Sequence, residues 1–341
     1  MQHHTVESER IENADFVLSS RKFAAYLSES IDATEANCGK EDAKVTHEDC
    51  EQARAILSKL YCGDDVTDDE QEVLTAVINQ NTRPSWLPRG QYFKPDHWAW
   101  RDRFNEAVVA RISPMILSVG AIAPQIPGWR WFFGERPSSG TAFVVGEDLV
   151  MTNKHVAALF TTGTSPGKIT STKTAGLTFY DHDSGTNASK IIVTEAVFIH
   201  PVFDIAILRV PGISKGRQIL KLSTQGLLTS EKRDVACIGY PGASEGENKG
   251  AKAVFGNLRE YRRVSPGQMW TTNHPSGRVM HDASTIGGSS GSPLIDLDTG
   301  EVIAIHSATS GDDSFNVAIS SVVLAADPAV RATGVQFGIN S

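Results

Sequence analysis

Thr285-Ile-Gly-Gly-Ser-Ser-Gly-Ser-Pro293 is the stretch that says most about the fold and chemistry of this chain. Ser290 lies between Gly288 and Gly291, and Pro293 follows shortly after. This composition predicts a tight turn whose backbone amides face one point. Such a turn can present a serine nucleophile and stabilise an oxyanion. Because Gly/Ser-rich turns are also common in surface loops, the stretch needs support from elsewhere in the chain.

Two apolar segments upstream give that support. A strand that ends close to His155 is predicted by Leu149-Val-Met-Thr-Asn-Lys-His-Val-Ala157. A second apolar strand, with Asp204 at its mouth, is predicted by His200-Pro-Val-Phe-Asp-Ile-Ala-Ile-Leu208. The order along the chain is therefore His155, Asp204, Ser290.

This order and these local sequences resemble the chymotrypsin-like (trypsin-like) serine peptidases, most closely the bacterial branch related to the glutamyl endopeptidases. The resemblance covers about residues 110 to 330. Three more segments match the family: Ser139-Gly-Thr-Ala-Phe143, Ile238-Gly-Tyr-Pro241 and Val302-Ile-Ala-Ile-His306. It implies a mainly β fold, a chymotrypsin-like double β-barrel. The first barrel is expected at about residues 115–225 and the second at about 230–330.

The resemblance also assigns roles to the three residues. His155 accepts the proton of the Ser290 hydroxyl during attack and returns it to the leaving amine. Asp204 holds the imidazole in the productive tautomer. The backbone N–H groups of Gly288 and Ser290 are the expected oxyanion donors.

Each of the three residues, taken alone, could have a purely structural role. His155 could be a satisfied core histidine, Asp204 a strand-end cap and Ser290 a turn serine. An α/β-hydrolase would have the order serine, acid, histidine and a helix after the nucleophile, which is the reverse of the order found here. The joint occurrence favours a serine-type endopeptidase. The alternative kept open is a catalytically silent binding or scaffold protein with a peptidase fold.

Rival residues lie close to the predicted site. His200 is near Asp204 and His281 is near the serine turn, and we expect structural roles for both. Ser289 and Ser292 compete with Ser290, which alone holds the central place between the glycines.

The predicted specificity rests on two further residues. In the glutamyl endopeptidases, a threonine before the nucleophile and a histidine on the following strand recognise an acidic P1 side chain, and Thr285 and His306 match these positions. Ser289 stands where digestive relatives have the aspartate that captures a new N-terminus. Activation by that ion pair is therefore not expected.

Residues 1–105 differ in composition from the rest of the chain. They contain 20 Asp and Glu against 12 Lys and Arg, which accounts for the whole net charge of −8. Capping-box patterns at Thr46–Asp49 and Thr67–Glu70 predict helices, and two more are predicted at about 16–28 and 95–112. We therefore predict an acidic helical domain at 1–105, a regulatory or partner-binding module, and a peptidase domain at 106–341.

Composition argues against several classes of protein. No basic stripe supports nucleic-acid binding, and the longest apolar stretch, about residues 115–122, is too short to cross a membrane. No secretory signal is visible, so a cytoplasmic location is expected. Four scattered cysteines do not form a disulfide framework, and a zinc site from Cys38, Cys50, Cys62 and His47 is the weaker interpretation. We expect no cofactor, no metal, and a protein or peptide as substrate.

Overall fold

The structure is a computed structural model of the 341-residue chain. It describes residues 47–62, 82–97, 99–125, 139–162, 168–169, 174–179, 191–226, 232–242, 254–255, 261–271, 277–309 and 315–338, with single positions at 28, 31, 32, 35, 64, 67 and 70.

The described part of the chain is mainly β, with fifteen strands. They are β1 Val119–Gln125, β2 Gly140–Gly146, β3 Leu149–Thr152, β4 Thr161–Thr162, β5 Lys168–Ile169, β6 Thr174–Thr178, β7 Ile191–Ile192, β8 Glu195–Ile199, β9 Ala206–Arg209, β10 Lys232–Gly239, β11 Arg263–Thr271, β12 Arg278–His281, β13 Pro293–Asp296, β14 Val302–Thr309 and β15 Asn316–Ser320. The helices are α1 His47–Cys62, α2 Glu106–Ile116, α3 Lys154–Ala157, α4 Ser321–Ala326 and α5 Pro328–Arg331.

Two antiparallel sheets make up the body of the protein. The first is an open seven-stranded sheet in the order β7-β6-β1-β2-β3-β9-β8, and the second is a closed barrel in the order β10-β11-β12-β15-β14-β13. Strands β2 and β3 are buried along their whole length, because apolar side chains fill both faces of the first sheet. The predicted fold class, a mainly β double barrel, is confirmed, with the first unit open between β7 and β8.

The register of β3 and β9 brings the chemistry of the first sheet together. Thr152 is paired with Ala206 at the end of this antiparallel ladder. Residues shortly after β3 and shortly before β9 must therefore meet at the same edge. These are the positions of His155 and Asp204.

The described residues test only part of the N-terminal helix predictions. Helix α1 covers the first capping-box segment from His47 onward, and Thr46 and the helix predicted at 16–28 lie outside the described residues, apart from position 28. At the second segment the capping box is formed: Thr67 N–H donates to Glu70 Oε2 at 3.1 Å, and Glu70 N–H donates to Thr67 Oγ1 at 3.3 Å.

The helix predicted at 95–112 begins later than expected. Helix α2 starts at Glu106, because the extended backbone of Asn105 breaks the run and its side chain caps the helix by accepting from Val108 N–H. Before it, residues 99–104 form turns, in which Phe104 N–H donates to the Trp100 carbonyl.

Residues 82–97 and 99–104, called here the upstream strap, pack against the second barrel. Trp86 exchanges backbone hydrogen bonds with Val264 of β11. Trp86, Trp100 and Phe104 are buried in the same core cluster as the barrel side chains. The domain boundary at residue 105 stays a prediction, and these contacts favour an earlier one. None of the helices in the described ranges has the length and apolar character needed to cross a membrane.

Candidate active site

His155 and Asp204 form a hydrogen-bonded pair at the edge of the first sheet. His155 lies in α3, directly after β3, and its Nδ1 is 2.7 Å from Asp204 Oδ2. The backbone N–H of His155 donates to the other carboxylate oxygen at 3.0 Å. These two contacts, one to each oxygen, fix the orientation of the carboxylate and leave His155 Nε2 outside the pair. This is the arrangement of a general base and its orienting acid.

The surroundings of Asp204 keep the carboxyl ionised. Burial raises its pKa, but hydrogen bonds from the His155 ring, the Ser307 hydroxyl and the His155 N–H outweigh burial, so that the pKa is lowered from its usual value. The Ser307 hydroxyl donates to Asp204 Oδ2 at 2.5 Å. Asn153 donates from Nδ2 to the Asp204 carbonyl at 2.9 Å and so ties the two loops together.

Ser290 lies in the turn between β12 and β13 and is joined to Asp204 through Ser307. Its hydroxyl donates to the Ser307 carbonyl at 3.4 Å. Ser307 therefore contacts Ser290 through its carbonyl and Asp204 through its hydroxyl. The Ser290 carbonyl accepts from Thr141 N–H of β2 at 2.7 Å, which anchors the turn of the second barrel to the first sheet.

The two predicted oxyanion amides are oriented by their own peptide planes. The Gly287 carbonyl accepts from Gly242 N–H at 2.5 Å, and the Ser289 carbonyl accepts from Ser292 N–H at 2.9 Å. In a trans peptide the N–H points opposite to the carbonyl. The N–H groups of Gly288 and Ser290 therefore point away from these anchors.

Glycine is required at Gly288 and Gly291 for reasons of both conformation and space. Their φ values are 89° and 90°, a region that L side chains rarely adopt. A Cβ at Gly288 would lie 2.5 Å from Gly242 N, and one at Gly291 would lie 2.1 Å from the Thr141 carbonyl oxygen. The shape of the turn thus depends on both glycines.

Thr285 and His306, the predicted specificity residues, lie on the second-barrel side of the turn. Thr285 Oγ1 donates to Asn316 Oδ1 at 2.7 Å. His306 is buried on β14, and its Nδ1 is 3.0 Å from Nε2 of the fully buried His281 on β12. Burial lowers the pKa of His306 to about 3, with a further lowering from His155, and burial also lowers the pKa of His281. Both imidazoles are therefore neutral at ordinary pH.

The rival residues have other partners. His200 Nδ1 accepts from the N–H groups of Val202 and Phe203 at 3.1 and 2.8 Å, so Nε2 carries the proton and donates to Asp327 at 2.9 Å. This is a structural arrangement that closes the turn before Asp204.

The competing serines are held away from solvent. Ser292 is fully buried and its hydroxyl donates to the Ser289 carbonyl, while the Ser289 hydroxyl is 3.3 Å from Ile286 N–H, from which it accepts. Ser290 is the more exposed of the three serines in this turn.

Ser307 and Arg83 are contacts of the site that the sequence alone did not reveal. Ser307 directly follows the matched Val302–His306 segment, and that adjacency was its only signal. Arg83 belongs to the upstream strap and forms a buried ion pair with Asp282, eight positions before Ser290. Neither has a motif of its own. Over the ranges that the structure describes, no cluster of His, Cys, Asp and Glu is arranged to hold a metal ion.

Comparison with known proteins finds similarity to serine proteases. Residues 140–305 match the family described as "Trypsin-like peptidase domain". Two curated relatives, "Serine protease MT3772" and "Serine protease Rv3671c" from two strains of Mycobacterium tuberculosis, are 27% identical over 212 residues, which is 62% of this chain and 44% of theirs.

Solved structures give a similar comparison. The active form of the Rv3671c protease from M. tuberculosis is 22% identical, covers 70% of this chain and 88% of its own, and has a TM-score of 0.45. A serine endoprotease from Yersinia pestis is 16% identical, covers 66% of each chain, and has a TM-score of 0.44.

The match over residues 140–305 and the names of the curated relatives agree with the enzyme class predicted for the peptidase region, that of the trypsin-like serine peptidases. The chain spans less than half the length of those relatives.

Proposed function

We propose that the protein is a serine endopeptidase that hydrolyses peptide bonds through His155, Asp204 and Ser290. The observation that carries the proposal is the contact set of Asp204, which bonds His155 directly and is linked to Ser290 through Ser307. Three unrelated segments of the chain converge there. A structural role alone does not require a histidine, a carboxylate and a partly exposed serine at one edge.

Each residue has a defined step in the proposed mechanism. The Ser290 hydroxyl turns from the Ser307 carbonyl toward His155, loses its proton to Nε2 and attacks the substrate carbonyl. Asp204 stabilises the imidazolium that forms. The protonated His155 then donates to the leaving amine, and water repeats the sequence to release the acyl group.

The oxyanion that forms in both steps is assigned to the N–H groups of Gly288 and Ser290. Their orientation is set before substrate binds, because the Gly287 and Ser289 carbonyls are anchored behind the turn. Loss of one such donor typically costs a factor of about 10² to 10³ in turnover.

The test is labelling by a fluorophosphonate together with cleavage of a peptide library. We expect the natural chain to be labelled and to cleave, and Ser290→Ala to do neither while keeping its circular dichroism spectrum. His155→Ala should lose turnover by about 10⁴-fold or more, with a smaller loss for Asp204→Asn. A folded natural chain that is neither labelled nor active would favour the catalytically silent alternative.

For specificity we propose an acidic P1 residue, as in the glutamyl endopeptidase branch. His281 and His306 share one hydrogen bond, and His281 Nδ1 has no partner among the described residues. An unpaired acceptor is tolerated better than an unpaired N–H, so His281 Nε2 donates and His306 keeps its proton on Nε2. That N–H is the group offered to a substrate carboxylate.

Two features limit the strength of this recognition. His306 is neutral, so it gives a hydrogen bond without a full charge. The Thr285 hydroxyl already donates to Asn316, and it must exchange that bond to serve the substrate. We therefore expect a Glu-over-Gln preference of about tenfold, which His306→Ala should remove. A library profile dominated by Arg, Lys or large apolar P1 residues would exclude acidic specificity and leave the peptidase proposal intact.

A further inference from the structure

The upstream strap reaches the peptidase site at Arg83. Arg83 Nη2 lies 2.5 Å from Asp282 Oδ2, and the two side chains are only 6% and 7% exposed. Burying both charges costs desolvation, and a pair of this kind gives little net stability compared with apolar packing. What it does provide is a fixed distance between two segments far apart in the chain.

Arg83 holds two residues of the segment that leads into the Ser290 turn. Its side chain binds Asp282, and its carbonyl accepts from the Ser284 hydroxyl at 2.7 Å. The next residue is Thr285, one of the two proposed specificity residues. Residues 282–285 are called here the wall. The upstream strap is thus joined to the wall by one charged and one neutral hydrogen bond.

The opposite side of the same segment is also fixed. Asn316 Nδ2 donates to the Ala283 carbonyl at 2.8 Å, and Asn316 Oδ1 accepts from Thr285. Gly267 lies so close that a Cβ there would be 2.5 Å from Ala283 N. Residues 282–285 are therefore clamped between the barrel and the upstream strap.

Arg83 is itself held in one position. Its guanidinium lies over the Trp100 ring, 5.1 Å from the centroid, and the Trp100 indole N–H donates to the Thr82 carbonyl at 2.5 Å. Three residues after Arg83, Trp86 pairs with Val264 of β11. A rigid support of this kind can transmit its position to the segment it holds.

We propose that Arg83 is a positioning residue of the peptidase. Its ion pair with Asp282 fixes residues 282–285, so that substrate binding depends on a segment that precedes both barrels. This inference rests on the proposed function. It also gives the N-terminal part of the chain a route to the site, because any displacement of the upstream strap loosens the wall next to Thr285.

The test compares one double variant with a matched control. Arg83→Met/Asp282→Asn removes both buried charges, and Asn keeps the oxygen that accepts from Gln268 N–H at 2.6 Å. Arg101→Met removes a more exposed ion pair of the same strap, with Asp102 at 3.7 Å. For each we would measure fluorophosphonate labelling, and kcat and KM for peptides with Glu, Gln and Leu at P1, well below the unfolding temperature.

We expect the double variant to raise KM for its best peptide by about tenfold or more. The kcat/KM values of the three peptides should also become more alike. Labelling should stay within about threefold of that of the natural chain. Arg101→Met should leave all of these values unchanged. If the natural chain is neither labelled nor active, the proposed function fails.

Suppose instead that the natural chain is active and that the folded double variant keeps its KM and the same kcat/KM ratios between peptides, with only a lower unfolding temperature. The positioning role of Arg83 is then wrong. Should the double variant fail to fold, Asp282→Asn alone decides, because asparagine removes the carboxylate that pairs with Arg83 and keeps the oxygen that accepts from Gln268 N–H. An unchanged KM in that variant would equally overturn the inference.

Discussion

Ser307 illustrates how much of the site depends on a single hydroxyl outside the three motif residues. Ser307→Ala removes the donor to Asp204 while keeping the carbonyl that binds Ser290. The Asp204 pKa should rise, because this hydrogen bond helps to lower it. We expect turnover to fall by about tenfold, equivalent to ~1.4 kcal/mol in the barrier.

The matched control is Ser307→Thr, which keeps a hydroxyl on the same strand. Steady-state kinetics of the two variants at neutral pH would make the comparison. Equal turnover in Ser307→Ala and the natural chain would mean that His155 alone suffices to orient Asp204.

At the scale of residues, the motif positions carry a sequence pattern and their supporting contacts do not. His155, Asp204 and Ser290 stand in patterned segments, and the structure brings His155 and Asp204 within 2.7 Å. Ser307 and Arg83 have no pattern, because one hydrogen bond across the fold leaves no trace in the neighbouring residues. Such contacts are fixed by tertiary packing alone.

The side-chain hydrogen bond between His281 on β12 and His306 on β14 has a consequence for stability. Both histidines have lowered pKa values in the folded chain, His306 to about 3, whereas an unfolded histidine titrates near 6.5. Below about pH 6.5 the unfolded chain therefore binds more protons than the folded one. The stabilisation is fully present above that pH and is lost as pH falls toward 3.

We expect the free energy of unfolding to decrease with falling pH, with a limiting slope of ~1.4 kcal/mol per pH unit for each histidine. His281→Gln keeps a donor toward His306 and removes one titrating group, so its slope should be shallower. Urea unfolding between pH 4.5 and 8 measures this. The two slopes should coincide above pH 7.5, and identical slopes at pH 5 would refute the expectation.

At the scale of elements, strands were easier to predict than helix ends. The two apolar runs at 149–157 and 200–208 correctly indicated β3 and β9. The apolar positions from 95 to 112 suggested one helix, but Trp100 and Phe104 lie before its observed start and instead serve the barrel core. An apolar period reports that side chains are buried and does not report which surface buries them.

For the whole molecule, the upstream strap changes where the peptidase unit is expected to begin. A chain starting at residue 105 would lose Arg83, Trp86 and Trp100 and would expose the barrel surface beneath them. We expect it to be insoluble or to melt about 10 °C or more below the full chain, since each kcal/mol shifts Tm by roughly 2–4 °C at this size. A chain starting at residue 80 should melt within a few degrees of the full chain.

Thermal unfolding and peptide turnover of the three chains would test the boundary and the regulatory prediction together. If residues 1–79 inhibit, the chain from residue 80 should turn over small peptides at least as fast as the full chain. A soluble, fully active chain from residue 105 would show that the upstream strap is dispensable and that the composition-based boundary was right.

The difference in closure between the two sheets bears on how the protein would misassemble. Among the described strands, the closed barrel presents no free backbone edge, whereas the open sheet ends at β7 and β8. Unpaired edges are templates for strand addition by another chain. Strand β7 has only two residues, and β8 carries the exposed Glu195 and a bulge between Ala196 and Phe198. Both features discourage such growth. They belong to the half of the protein that bears His155, which is the half whose open edges need protection against polymerisation at high concentration.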